Sequence, residues 1–375
     1  MLNIAEHLRS RQLTWETVAE RAGISTARLR DVAGGADASL GEMRRISKAL
    51  RVPVSAIFEE TTAGPVKLLF RQTIGQRAAD LSSSVEILAA QIQDALSIAR
   101  DIPADTGWLE AFRGMHVSLD SAESFADLFR SKFAGLGDTE PFATLSSVVE
   151  SLNVYVLYAR DANIEGVSAI VEGYAFIIVG ARTFKPRMFF TIAHELGHLV
   201  AHHSRRDADY VALDGERDVG NIDHTPRRAE EQFADAFASN LVLPRHGVLQ
   251  ALSTIRENFG ASGPLGDVEI LSLARFYGVS FEVAARRCEQ LDLLPPQGAR
   301  ALYQELVDAF GNPERRADSL GLAAREDFEI STSQSLLEAA GRRIRASVLS
   351  LGRAAELLNV PVSTLFAVNA STREW

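Results

Sequence analysis

Residues 187–203 read RMFFTIAHELGHLVAHH, and the interpretation of the whole chain depends on this stretch. Its apolar positions recur at three- and four-residue spacing, which predicts a helix with one buried face. His194 and His198 are four residues apart, so they lie on one face of that helix, about 6 Å apart along its axis. Two imidazoles at that separation can bind one metal ion, and the spacing therefore predicts a metal site.

Glu195 directly follows the first histidine and lies about 100° around the helix from it, beside the predicted ion. Its carboxylate can take a proton from an attacking water and pass it to a leaving amine. The resulting pattern, HExxH, is typical of zinc hydrolases, so Zn²⁺ is the expected cofactor. Gly197 predicts that another segment approaches this helix closely, because glycine has no side chain. The alternative, a helix with two surface histidines, is disfavoured by the apolar residues around them.

The third ligand is expected on a second helix. The form of the motif with a third histidine ten residues after the first is absent, because Ser204 stands there. Residues 227–244, RRAEEQFADAFASNLVLP, have helical apolar spacing and carry Glu231 and Asp235 on one face. Glu231 is the preferred ligand, Glu230 is its rival, and Asp235 is expected to orient a ligand histidine. A solvated acidic face is the alternative.

Other residues near the motif are weaker candidates. His202 lies about 12 Å along the helix from His194, too far to share the ion, and with His203 it is expected to be an exposed helix end. His224 and Tyr210 lie between the two predicted helices, and either can donate a hydrogen bond to an oxyanion. Exposure in a loop is the alternative for His224.

The chain has one cysteine, Cys288, which is a candidate thiolate that blocks the zinc site. Simple packing in a helix is the alternative. Two short stretches rich in β-branched and aromatic residues predict strands, NVYVLYA at 153–159 and YAFIIVG at 174–180. The second strand is expected to bind an extended peptide by strand addition.

The segment FTIAHELGHLVAH, followed by the pattern ExxADxFAxxLxLP from Glu231 to Pro244, resembles the ImmA/IrrE metallopeptidases. The resemblance covers about residues 150–290, including VEILSLARFYGVSFEVAARR at 268–287. It implies a zincin-like core with Glu231 as third ligand. It also implies a substrate that is a helix-turn-helix repressor or antitoxin, cleaved to lift repression after stress such as DNA damage. Some relatives respond to single-stranded DNA, which suggests an activator.

Residues 13–59 predict a small helical module before the peptidase. Gly23 stands where a turn between two helices needs a positive φ, and Ser25 is placed to cap the next helix. That helix presents Ser25, Thr26, Arg28 and Arg30 to a DNA major groove. The module is similar to the Cro/C1-type (XRE) repressor domain.

DNA binding by this module has an alternative. Trp15 stands where the repressor family often has a glutamine that helps to bind DNA. Residues 1–62 hold nine basic and eight acidic residues, a weak balance for binding phosphates. The alternative is a fold that mediates dimerisation or docks a similar repressor. The helices of 65–100 offer a further contact for a homodimer. Near the chain end, 353–368 predicts a helical hairpin, with half of a helix-turn-helix as the alternative.

Composition restricts the class of protein. The 375 residues are 46% hydrophobic and 23% charged, with a formal net charge of -10, as in ordinary soluble proteins. The chain contains no run of about 18 apolar residues, so no membrane partner is expected. The N-terminal sequence lacks the apolar core of a signal peptide. With one cysteine, these features predict a cytoplasmic location. The net charge argues against wholesale coating of nucleic acid but allows one small DNA-binding module.

The patterns together predict a mostly helical α+β protein. Its expected parts are a helix-turn-helix module at 1–62, a helical linker region at 65–137, an HExxH zincin-like peptidase core with a small sheet at 140–245, and a helical C-terminal domain at 246–375. The expected function is a zinc endopeptidase that cleaves a regulatory protein. The alternatives are a DNA-binding regulator whose zinc site is structural or sensory, and a toxin–antitoxin partner that acts by contact alone.

Overall fold

The structure is a computed structural model of the 375-residue chain. It describes residues 4–10, 13–50, 57, 78–161, 164–203, 210–214, 226–323 and 330–371. The described residues are mostly helical and include a four-stranded sheet, so the predicted α+β class is confirmed. Within these ranges, no helix has the length and apolar character needed to cross a membrane.

The elements follow one another along the chain in this order. The helices before the first strand are α1 (Ile4–Ser10), α2 (Trp15–Ala22), α3 (Thr26–Ala33), α4 (Leu40–Leu50), α5 (Ala78–Ala99), α6 (Glu110–Arg113), α7 (Ala122–Phe129) and α8 (Leu145–Ser151). The central part contains β1 (Val154–Tyr158), β2 (Gly166–Val171), β3 (Tyr174–Val179), α9 (Lys185–Ala201), β4 (Tyr210–Asp214) and α10 (Pro226–Val242). The remaining helices are α11 (Arg245–Phe259), α12 (Asp267–Tyr277), α13 (Phe281–Gln290), α14 (Gly298–Phe310), α15 (Pro313–Ser319), α16 (Gln334–Arg345), α17 (Leu351–Leu358) and α18 (Val362–Ser371).

The chain forms two compact units. The first comprises Met1–Pro103, Ala159–Ile164 and Ser335–Trp375. The second comprises Ala104–Tyr158 and Glu165–Gln334. The second unit contains the sheet and both helices that the sequence assigns to the metal site.

The first unit begins with a bundle of short helices whose boundaries follow from local chemistry. Gly23 ends α2 with a φ of 64°, a left-handed conformation that glycine adopts without strain, as predicted. Ser25 caps α3, because its side chain accepts a hydrogen bond from the Arg28 backbone N–H at 3.1 Å. The apolar faces meet in one core, lined by Val18, Leu29, Val32, Ile46 and Leu50. Further along, α17 and α18 form the predicted helical pair, joined at Asn359 with a φ of 53°.

The sheet of the second unit has the strand order β1-β3-β2-β4. β1 pairs in parallel with β3, while β2 pairs antiparallel with both β3 and β4. The strands predicted at 153–159 and 174–180 are β1 and β3, so both are confirmed. β2 and β4 were not predicted from the sequence.

The expectation that the strand at 174–180 binds a peptide by strand addition is wrong. β3 lies between β1 and β2, and its backbone is hydrogen-bonded on both sides. In the described part of the chain the edge strands are β1 and β4. The outer edge of β1 is covered at Val156, whose N–H donates to Ser333 Oγ at 2.7 Å and whose carbonyl accepts from Ser333 N at 2.9 Å. Among the described strands, β4 is therefore the candidate edge for strand addition.

The two helices of the predicted site, α9 and α10, pack directly against each other. A Cβ atom at Gly197 would lie 3.0 Å from the Ala234 Cα and 3.1 Å from the Phe237 ring. Real Cβ atoms seldom come so close to backbone, so the predicted close approach at Gly197 is confirmed. This contact holds the inward face of α10 against the histidine face of α9.

Candidate metal centre

The HExxH residues are buried because α9 lies between the sheet and α10. His194, Glu195 and His198 expose 2%, 0% and 1% of their surface. Buried polar groups of this kind need partners, since burial without them is costly. The geometry around the two imidazoles shows which partners are present.

Three potential ligand atoms converge at this point. His194 Nε2 lies 3.1 Å from His198 Nε2 and 3.2 Å from a carboxylate oxygen of Glu231, whose other oxygen lies 3.6 Å from His198 Nε2. The ligands of a tetrahedral zinc ion lie about 2 Å from it and therefore about 3.3 Å from one another. The donor set and its spacing fit Zn²⁺. Among the described residues, the cluster includes Glu231 and does not include its neighbour Glu230.

The electrostatics of the cluster also fit a cation. Burial lowers the pKa of His194, but hydrogen bonds to Asp235 and Glu231 more than offset this and place the pKa well above its usual value. Burial raises the pKa of Glu231, but the hydrogen bonds from both histidines outweigh it and hold this pKa below its usual range. Carboxylates thus surround the histidines with negative charge, and a divalent cation would balance that charge.

Asp235 lies where the sequence predicts it, one turn after Glu231 on α10. Its Oδ1 atom is 3.0 Å from His194 Nδ1, on the side of the ring away from the cluster. A carboxylate there fixes the proton on Nδ1 and leaves Nε2 free to bind a metal.

Glu195 lies against the first residue of β2. A Cβ atom at Gly166 would lie 3.0 Å from Glu195 Cδ and closer still to its Oε1 atom. Only a glycine leaves this space for the carboxylate. The sequence analysis did not identify Gly166. The sequence signal for it was a glycine at the start of β2, a strand that was not predicted.

The expectation that His202 and His203 form an exposed helix end is wrong. They expose 9% and 3% of their surface, because neighbouring elements cover this end of the helix. His202 Nδ1 lies 3.1 Å from His198 Nδ1, and the His202 ring contacts the edge of Phe233 on α10. His203 Nε2 lies 3.4 Å from Ser168 Oγ on β2.

The weaker candidates are placed as follows. Cys288 is fully buried on α13 within the core of the second unit, and burial raises the pKa of its thiol to about 12. Its blocking role stays a prediction. His224 lies outside the described residues. Tyr210 is the first residue of β4, but its side chain also lies outside them.

The candidate DNA contacts on α3 are engaged within the chain. The Arg28 guanidinium donates to the Glu42 carboxylate at 3.0 and 3.2 Å and to the Asp37 carbonyl at 2.7 Å. Arg30 lies 3.5 Å from Glu16, and its guanidinium stacks over the Trp15 ring. Thr26 is the first residue of α3, after the cap residue Ser25. DNA binding by these residues stays a prediction.

A cleft of about 850 Å³ opens beside the cluster. Thr191 of α9 and Asp235 of α10 belong to its walls, and α13 contributes Phe281 and Arg286. Its volume would accommodate several residues of a peptide. Asp235, which contacts His194, connects this cleft to the cluster.

Fold and site together give an α+β domain in which two histidines and a glutamate could hold a metal ion, with the Glu195 carboxylate beside them. Residues 149–289 match the Peptidase_M78 family model, described as the IrrE N-terminal-like domain. This segment contains the sheet, both helices of the cluster and α11 to α13, and the match supports a peptidase role for it. It agrees with the resemblance expected at 150–290. No curated protein matches the chain. The match does not include residues 1–62, whose helix-turn-helix assignment stays a prediction.

Proposed function

We propose that the protein is a zinc-dependent endopeptidase that cleaves a regulatory protein. The observation that carries this proposal is the convergence of His194, His198 and Glu231, with Glu195 buried beside them. The match of residues 149–289 to a peptidase family supports it.

The residues have distinct roles in this reaction. His194, His198 and Glu231 would hold Zn²⁺, which when bound polarises the scissile carbonyl and lowers the pKa of a water molecule. Glu195 accepts the proton of the attacking water on its carboxylate and delivers it to the nitrogen of the leaving amine. Asp235 keeps the His194 ring in the orientation that bonding requires.

The sheet supports an extended peptide as substrate. Asp214 of β4 pairs with Gly166 of β2, and Gly166 borders the Glu195 carboxylate. A peptide added to the outer edge of β4 would lie on the same side of the sheet order as β2, about 10 Å from that strand. A chain bound along a strand edge extends beyond both sides of the reacting bond, as an endopeptidase requires.

A helix-turn-helix repressor or antitoxin is the proposed substrate, following the resemblance to the ImmA/IrrE metallopeptidases. Cleavage would lift repression under stress such as DNA damage. The balanced charges around Arg28 and Arg30 support a role for the N-terminal module in docking such a protein. Single-stranded DNA as activator belongs to the same proposal, and full activity of purified protein without nucleic acid would overturn that part.

The test is a search for new protein N-termini by mass spectrometry in cells expressing the wild type or Glu195→Gln, before and after DNA damage. Loss of the general base should slow cleavage by about 10²- to 10⁴-fold, with zinc content unchanged. One new terminus inside a repressor, absent in the variant, identifies the substrate and the bond. Identical termini in both cells would overturn the proposal and favour a DNA-binding regulator with structural or sensory zinc.

A further inference from the structure

We propose that His202 is a positioning residue for the metal ligand His198. This inference rests on the proposed zinc site and adds a residue that the HExxH motif does not contain. Its basis is the short contact between the two imidazoles, with 3.1 Å between their Nδ1 atoms.

The contact determines which nitrogen of each ring carries the proton. His198 Nε2 faces the cluster, 3.1 Å from His194 Nε2, so this nitrogen needs its lone pair to bind zinc. The proton of His198 is then on Nδ1, from which it is donated to His202. His202 Nδ1 is the atom placed to accept it, 3.1 Å away.

The surroundings hold the His202 ring in place for this bond. Its backbone N–H donates to the His198 carbonyl at 2.9 Å, which keeps both residues in one helical turn. Its ring meets the Phe233 ring nearly edge-on, with 5.8 Å between centroids and an interplanar angle of 76°. Phe233 lies on α10, two residues after the ligand Glu231, so His202 links the end of α9 to the ligand-bearing turn of α10.

The two histidine ligands are thus held by different chemistry. Asp235 holds His194 through a carboxylate, whereas His202 faces His198 with a ring nitrogen. A fourth carboxylate in place of His202 would add charge to a site that already contains Glu195, Glu231 and Asp235. An imidazole acceptor fixes the ring orientation without adding a carboxylate.

The experiment measures zinc affinity of the full chain by competition with a chromophoric chelator, using wild type, His202→Phe, His202→Gln and His203→Phe. The phenylalanine at 202 keeps a ring against Phe233 but removes the acceptor, and affinity should fall about 10-fold or more, as for other residues that orient metal ligands. Glutamine restores an acceptor and should recover most of the affinity. His203→Phe is the matched control, because the neighbouring His203 is also buried and its Nε2 faces Ser168 Oγ on β2.

The outcomes separate this inference from the proposed function. No zinc binding by the wild type would overturn the proposed function itself. Zinc binding with equal affinity in the wild type and His202→Phe would overturn the inference alone, as would equal weakening by His203→Phe. A second readout needs no variant: in nitrogen-15 spectra of the zinc-loaded wild type, His202 Nδ1 should accept a hydrogen bond from the Nδ1–H of His198. A proton on its Nδ1 would overturn the inference as well.

Discussion

The candidate metal centre and the N-terminal module differ in the partners of their charged side chains. Between α9 and α10, the carboxylates of Glu195, Glu231 and Asp235 gather around two buried imidazoles. On the N-terminal module, Arg28 and Arg30 are each met by a glutamate. The first arrangement leaves negative charge that a cation would balance. In the second arrangement, glutamates neutralise the two arginines, which weakens the attraction of this surface for phosphate.

The largest expected effect comes from removing the third ligand. Glu231→Ala should weaken zinc binding by more than about 100-fold, since even residues that only orient ligands contribute 10- to 100-fold. The measurement is chelator competition on the purified chain. Glu230→Ala is the matched control, because it removes an adjacent acid that is not in the cluster. Equal losses in both variants would mean that the acidic face of α10 acts by general charge and not as a ligand.

Gly166→Ala should separate metal binding from catalysis. The added methyl would meet the Glu195 carboxylate and displace it, while the histidine ligands stay in place. Displacing a reacting group by about 1 Å can slow a reaction by about 10²-fold. We expect such a loss in cleavage rate with unchanged zinc affinity. A parallel loss of zinc would show that β2 supports the ligands as well as the general base.

The sequence predicted the helices of the site well, because its information is local there. The helical spacing in 187–203 and 227–244 places His194, Glu195 and Glu231 without knowledge of the rest of the fold. The pairing of strands is not local, so the central position of β3 between β1 and β2 could not be predicted. The prediction of a peptide-binding strand at 174–180 failed for that reason.

Burial at the end of α9 was missed for a related reason. The helical pattern describes only one helix, whereas His202 and His203 are covered by Phe233 of α10 and Ser168 of β2. Gly166 was missed because its importance comes from contact with Glu195, which is distant in sequence. Residues that orient or make room for others become visible only when separate elements are brought together.

The ion pair on the N-terminal module predicts a smaller, pH-dependent effect. The hydrogen bond from Arg28, with those from Ser39, lowers the pKa of Glu42 from its ordinary value of 4.5 to about 2. A carboxyl with a lowered folded-state pKa stabilises the fold above its unfolded value and loses that contribution as the pH falls towards 2. The thermal stability of the wild type should therefore fall more than that of Glu42→Gln between pH 5 and pH 2. Parallel curves would mean that the Arg28–Glu42 pair does not contribute to stability in this pH range.

The smallest expected effect is at Cys288, which the sequence offered as a thiol that blocks the zinc site. The side chain is fully buried, and burial raises the pKa of the thiol to about 12, so the reactive thiolate is scarce at neutral pH. The native chain should resist a thiol reagent that modifies it after unfolding, and no other cysteine complicates the measurement. Cys288→Ala should keep the zinc affinity and cleavage rate of the wild type, because the thiol packs in the core and is absent from the described ligand cluster. Faster cleavage by Cys288→Ala would instead establish the thiol as an inhibitor of the site. The core around Cys288 would then be a third region, beside the metal cluster and the N-terminal module, that affects the metal.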